Sequence, residues 1–166
     1  ESFCDVCPEK SLVKHASQPG VILLKSFGKF WGLVGLRLGF AIGHPDTLLA
    51  PDGRRNLAEL LGPWPVSGPA LAVGARALRD VDWAAKTRLR LASDAIRLDA
   101  LLSAAGAEVV GGTDLFRLYD VPSASEWRER LARHQIWSRI FPYSQSWLRL
   151  GLPAPDRWQQ IEEALA

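Results

Sequence analysis

VILLKSFGKFWGLVGLRLGFAIG, residues 21–43, decides how the rest of the chain is read. Four apolar residues from Val21 lead into Lys25, which suits a buried strand, and the run from Leu36 to Ile42 reads as a second strand. Between them stand Ser26, Gly28, Lys29, Gly32, Gly35 and Arg37, two cations in a setting otherwise short of polar groups. A lysine in such surroundings stays near water, finds an anion or loses its proton. The last two are how proteins make a nucleophilic amine that forms Schiff bases.

Composition bounds the alternatives. A chain of 166 residues is enough for one ordinary domain or two small lobes. With 48% hydrophobic and 23% charged residues it has the make-up of a soluble globular protein. Twenty basic against eighteen acidic residues leave +2, too little to argue for nucleic acid, and apart from Arg54-Arg55 and Arg88/Arg90 the basic residues are dispersed. Residues 21–43 are long enough to span a bilayer, but Lys25, Lys29 and Arg37 would each cost about 2.5–3.5 kcal/mol near its centre. No membrane partner is expected, and a cytoplasmic location is. The opening ESFCDVCPEK has neither signal-peptide nor transit-peptide character, and the chain contains no Met, so Glu1 reads as a processing boundary or the start of an ordered portion.

Cys4 and Cys7 form a CxxC followed by Pro8. Such a pair serves redox chemistry or half a zinc site. No second CxxC is present, His15, His44 and His134 lack ligand spacing, and no βαβ pattern opens a helix at the pair. The expectation is two loop thiols and no metal.

Along the chain, residues 1–20 read as loop with a short helical turn around Glu9 to Ala16. His44-Pro45-Asp46 looks like a helix start, with a helix from about Thr47 to Leu61 broken near Pro51-Asp52-Gly53. The Pro/Gly-dense residues 62–69 predict a rigid crossing. Ser67 caps a helix through Leu78, and Asp80 or Asp82 starts a longer one ending near Gly106, with Trp83, Leu89, Ala92, Ile96, Leu98 and Leu102 at helical spacing. Lys86, Arg88, Arg90 and Asp94 are assigned to its solvated face. Strands follow at Glu108–Val110 and Leu115–Val121 around Gly111-Gly112, then a helix from the capping-box spelling Ser123–Glu126 to about His134. Strands at Ile136–Phe141 and Trp147–Leu152 and a helix over Asp156–Leu165 complete a β-β-α-β-β-α lobe.

In the central stretch, Gly28 clears space beside Lys29 for a flat partner. Ser26 and Arg37 are good ligands for phosphate oxygens, one a single donor and the other a planar fork. Gly32, Gly35 and Gly39 let the backbone turn before the second strand. An amine, a phosphate-binding pair and a tight turn between them suit pyridoxal phosphate.

Residues 26–39, SFGKFWGLVGLRLG, resemble the lysine signature of class I and II aminotransferases, the fold-type I pyridoxal-phosphate enzymes. Three further stretches are similar to the threonine-phosphate decarboxylase group within that family: ESF at residues 1–3 with the loop through Leu12, LGPWPVSGPAL at 61–71, and GGTDLFR at 111–117. WLRLG at 147–151 resembles the family's C-terminal strand. The resemblance implies that Lys29 takes the cofactor aldehyde, that Ser26 and Arg37 bind its phosphate, and that Arg149 pairs with the substrate α-carboxylate. Phe3 falls where many aminotransferases carry a tyrosine that hydrogen-bonds the cofactor's phenolic oxygen, which phenylalanine cannot do. The decarboxylase group also tends to phenylalanine there.

The fold this resemblance implies is α/β, the C-terminal part of an aminotransferase-like fold. Residues 1–80 would end the large cofactor-binding domain, and 81–166 would supply a linking helix and a small α/β domain. The implied reaction is decarboxylation of L-threonine O-3-phosphate to aminopropanol phosphate in cobalamin biosynthesis, by a homodimer. Alternatives are an aminotransferase of the histidinol-phosphate type and a non-catalytic aminotransferase-like regulatory module. The chain matches only the C-terminal half of such an enzyme, so by itself it is expected to be inactive and to have bare strand edges.

Overall fold

The protein is described from a computed structural model covering residues 1–49 and 56–166. The chain forms two compact units, Glu1–Ala84 and Ala85–Ala166.

In the first unit, Ile22–Ser26 forms β1 and Gly39–Gly43 forms β2, paired antiparallel from Ile22 opposite Gly43 to Ser26 opposite Gly39. The second strand starts later than the apolar pattern predicts. A 3-10 turn occupies Val34–Leu36 and Arg37 turns left-handed at φ 52°, so the backbone becomes extended only beyond them. Gly39 is then required by proximity, because a Cβ there would lie 2.9 Å from the Lys25 carbonyl oxygen. Upstream, where loop with one helical turn is expected, three 3-10 turns follow one another at Cys4–Val6, Pro8–Lys10 and Val13–His15.

The expected helix from Thr47 to Leu61 is two short ones. Pro45–Leu48 forms α1, with His44 Nδ1 accepting from the Asp46 N–H at 3.2 Å. Leu57–Leu61 forms α2, opened by a reciprocal Asn56–Glu59 capping box. The break expected at Pro51–Gly53 lies outside the described residues. Ser67 Oγ accepts from the Ala70 N–H at 3.3 Å and opens α3, Gly68–Arg79. Asp80 Oδ1 does the same for the Trp83 N–H at 3.0 Å and opens α4, Val81–Ala104. Both caps satisfy donors that a helix start leaves free.

The core of this unit gathers Leu23, Phe27, Phe30, Leu38 and Ala70. Phe27 stacks on Trp31 and Trp31 on Trp83, each pair with ring centroids 5.6 Å apart. Gly74 of α3 is buried against Leu38 and Phe27, and a Cβ there would overlap Leu38 Cδ2. Gly74→Ala should therefore cost about 1–3 kcal/mol from overpacking, offset by about 1 kcal/mol of helix propensity. A urea midpoint at or above that of the parent chain would show that Leu38 swings aside freely.

In the second unit, Glu108–Thr113 (β3), Phe116–Asp120 (β4), Arg139–Phe141 (β5) and Ser144–Gly151 (β6) form one antiparallel sheet ordered β3-β4-β6-β5. Gly111 and Gly112 lie inside β3, not between two strands. A register shift after Val109 absorbs them, and the turn falls at Asp114-Leu115. Ser123 Oγ accepts from the Glu126 N–H at 3.4 Å at the start of α5, Ala124–Arg133, and α6 spans Trp158–Leu165. The β-β-α-β-β-α order is as expected, and its core joins Tyr119, Val121, Leu131, Leu148, Leu150, Trp158 and Ile161 with Leu98 and Leu102 of α4.

The phase of α4 differs from the predicted one. Leu89 is 75% and Ile96 71% exposed, while Ala84, Thr87, Leu91, Ala95, Leu98 and Leu102 are buried. Arg90 and Asp94, placed on the solvated face, form an i,i+4 ion pair at 2.9 Å. Farther along the helix, Asp99 receives a two-pronged contact from Arg117, with Nε at 2.9 Å and Nη2 at 2.7 Å, and a third bond from Tyr119 Oη at 2.8 Å. Tyr119 is fully buried, and burial, reinforced by the Asp99 hydrogen bond and charge, pushes its hydroxyl well above the ordinary range. The hydroxyl thus stays protonated and serves as a donor to the carboxylate.

Candidate active site

The two lysines of the central stretch meet different surroundings. Lys25 Nζ lies 2.9 Å from Asp5 and 4.0 Å from Glu1, so its charge is neutralised locally. Lys29 has no carboxylate partner among the described residues. Its ammonium instead sits 5.8 Å from the centroid of the Phe3 ring. Such a contact is worth about 0.5–1 kcal/mol at an exposed site, so the amine remains available to an anion or an electrophile.

The loop carrying Lys29 is shaped by its own backbone. The Phe27 N–H donates to the Leu38 carbonyl at 3.2 Å, and the Phe27 carbonyl accepts from the Leu33 N–H at 2.9 Å, closing the base. The Gly32 N–H donates to the Lys29 carbonyl at 2.9 Å, and Gly32 at φ +68° completes the turn. Ser26 Oγ accepts from the Gly28 N–H at 3.1 Å, which fixes the hydroxyl beside the loop. Arg37 occupies the left-handed region, where a non-glycine residue costs about 1–2 kcal/mol, and strain of this kind clusters at functional sites.

These residues converge. Ser26, Gly28, Lys29, Leu33, Val34, Arg37, Leu38 and Gly39 line one cavity of about 290 Å³. Arg37, like Lys29, has no ion-pair partner among the described residues. The cavity lining therefore offers an amine, a hydroxyl and a guanidinium with no carboxylate among the described residues that line it. That donor set fits a phosphorylated aldehyde, the chemical description of pyridoxal phosphate. Ser26, Lys29 and Arg37 are brought together as the sequence predicts, with Phe3 beside the amine.

Arg149 belongs to the second unit. It lies on β6 with its guanidinium 4.8 Å from the Phe116 ring centroid, and it lines a separate cavity of about 680 Å³. Two features of that cavity escape sequence reasoning. Arg139 of β5 stands directly opposite Arg149 in the register, so both side chains share one sheet face. Like charges placed opposite each other disfavour the sheet, and neither has an ion-pair partner among the described residues. Ser138 Oγ, which lines the same cavity, is buried without a hydrogen-bond partner among the described residues. Arg128, Arg139 and Arg149, with the Ser138 hydroxyl and against the single carboxylate of Glu129, give this cavity a lining suited to anions. The alternation of Arg139 with Phe141 was the available signal, but β5 has no partner until its pairing with β6 is known.

Comparison with known proteins follows the same lines. Residues 2–166 match the family described as aminotransferase class I and II. The chain is 43% identical over 166 residues to a threonine-phosphate decarboxylase of Pseudomonas aeruginosa, covering 99% of this chain and 48% of that protein. It is 45% identical over 169 residues to a threonine-phosphate decarboxylase of a Sinorhizobium species, covering 100% and 48%. The chain thus spans about half the length of these curated relatives. In structure it is similar to histidinol-phosphate aminotransferase from Sinorhizobium meliloti solved with pyridoxal-5'-phosphate, at a TM-score of 0.78 over 99% of this chain and 47% of that one, with 20% identity. No helix among the described residues is long and apolar enough to cross a membrane.

Proposed function

The chain belongs to the class I and II aminotransferase family, and from that premise we propose that the protein it forms part of is a pyridoxal-phosphate-dependent decarboxylase of L-threonine O-3-phosphate. The reaction releases CO2 and yields an aminopropanol phosphate of the kind used in cobalamin biosynthesis. The observation that carries the reading is the uncompensated amine, hydroxyl and guanidinium of Lys29, Ser26 and Arg37 around one cavity. Identity of 43–45% to threonine-phosphate decarboxylases supports the choice of reaction within the family.

In this reading, residues 1–80 are the C-terminal part of the cofactor-binding domain and 81–166 a linking helix and small domain. Ser26 and Arg37 would hold the cofactor phosphate, and Lys29 its aldehyde. When bound, pyridoxal phosphate supplies an electron sink for the pair released as the Cα–carboxylate bond breaks. Lys29 Nζ carries the proton returned to Cα. Phe3 offers an apolar face and no hydrogen bond to the phenolic oxygen, where a transaminase-type tyrosine would offer one. Arg149 takes the substrate carboxylate, and Arg139, its cross-strand neighbour, adds a second cation for a substrate that bears both carboxylate and phosphate. The protein would act in the cytoplasm as a homodimer, the assembly common in this family.

The test is incubation of the full-length protein with pyridoxal phosphate and L-threonine O-3-phosphate. Stoichiometric CO2 with unchanged cofactor is expected. Conversion of the cofactor to its pyridoxamine form without CO2 would move the assignment to an aminotransferase of the histidinol-phosphate type.

A further inference from the structure

Cys4 and Cys7 are both free and both partly accessible. They bracket the 3-10 turn Cys4–Val6, and the Cys7 N–H donates to the Cys4 carbonyl at 3.0 Å. A turn closed in this way brings the first and fourth Cα atoms within about 7 Å. Cys7 itself leaves the 3-10 conformation, at φ −137° and ψ 70°, so what favours the pairing is the Cα separation that the turn sets. Disulfides span Cα separations of about 4.4–6.8 Å. The Cys4 thiol already reaches the far end of the turn, where its Sγ donates to the Cys7 carbonyl at 3.6 Å. The same short segment touches both lysines of the central stretch, of which Lys29 lines the candidate active site. Phe3, immediately before the pair, places its ring by Lys29, and Asp5, inside it, holds Lys25.

We propose that Cys4 and Cys7 form a peroxide-driven, reversible disulfide that repositions Phe3 and changes the reactivity of Lys29. This goes beyond the decarboxylase reading and does not depend on it. The Cys7 sulfur attacks one oxygen of hydrogen peroxide, the O–O bond breaks, and the departing hydroxide takes the thiol proton to leave water and a sulfenic acid on Cys7. The Cys4 sulfur then attacks the Cys7 sulfur, the S–O bond breaks, and the second water carries away the Cys4 proton. Two thiols lose two electrons and one peroxide gains them. Burial, with the Glu1 carboxylate adding to it, holds the Cys4 thiol above its ordinary value, which suits the resolving rather than the attacking role. The bond draws the turn tighter and shifts its N-terminal flank, where Phe3 lies.

The experiment treats the full-length protein, without added pyridoxal phosphate, with hydrogen peroxide. It then blocks remaining thiols and maps the peptide containing residues 1–10. The expected peptide carries no alkyl group on either cysteine and is about 2 Da lighter than the reduced form, reverting with dithiothreitol. In Cys4→Ser, Cys7 should be trapped by dimedone as a sulfenic acid, and in Cys7→Ser no such adduct should accumulate on Cys4. Acylation of Lys29, followed on its own peptide, should change a few-fold between reduced and oxidised protein, and neither serine variant should respond. Two alkylated cysteines after oxidation, or bonds to other molecules in place of the internal one, would overturn the proposal. An internal bond that leaves Lys29 acylation unchanged would overturn its link to the site.

Discussion

Lys29→Ala in the full-length protein is expected to abolish borohydride-stable attachment of pyridoxal phosphate and to lower turnover by about 10²–10⁴-fold, the range lost with a positioned proton-transfer group. Lys25→Ala is the informative partner variant. Lys25 is spent on Asp5 at 2.9 Å and borders the loop, whereas Lys29 is the amine that lines the cavity with Ser26 and Arg37. Lys25→Ala should therefore keep the attachment while loosening the segment that Asp5 anchors. Peptide mapping of the reduced adduct gives the answer directly. An adduct on any residue other than Lys29, or one that survives Lys29→Ala, sinks the assignment. A protein that binds the cofactor through Lys29 but turns over no amino-acid phosphate would fit the regulatory-module reading.

The second large effect concerns stability. Asp99→Ala removes the acceptor for three donor groups, Arg117 Nε and Nη2 and Tyr119 Oη, and leaves Arg117 and the fully buried Tyr119 hydroxyl without this partner. Breaking one side of a largely buried ion pair costs about 3–5 kcal/mol. Partial solvent access at Asp99 and Arg117, 23% and 17% of their side chains, favours the lower end. Urea unfolding should place the midpoint well below that of the parent. Asp99→Asn, which keeps an acceptor oxygen but loses the charge, should fall between the two. A loss under about 1 kcal/mol, the scale of an exposed pair, would mean that water replaces the carboxylate.

How much of this was legible depends on whether the signal was local. Ser67, Asp80 and Ser123 cap helices where their spelling predicts, because a cap needs only a side-chain oxygen and an N–H three residues on. Ser26, Lys29 and Arg37 meet in one cavity because a single short loop carries them all. Longer-range features were less visible. The buried stripe of α4 runs through Ala84, Thr87 and Ala95, small residues that an apolar count undervalues, while Leu89 and Ile96 face solvent. Gly111 and Gly112 read as a turn but lie in β3, because pairing with β4 absorbs the irregularity. Arg37 ended the expected run of strand through a left-handed backbone that nothing in its residue type announces. Arg139 became a candidate only once β5 was set against β6.

That last pairing has a consequence for how the protein tolerates change in length. Arg139 and Arg149 face each other only because the irregularity after Ile140 sets Phe141 opposite Ser144, so the short connection between the strands works as a ruler. Strand side chains alternate with period two, and a slip of one residue sends every one of them to the other face. Substitutions at Pro142 or Tyr143 that preserve spacing leave the arginines aligned. Inserting or deleting one residue there shifts β5 against β6 and separates the two cations without altering either. The pairing of the two arginines is written in the count of residues between them as much as in the arginines themselves.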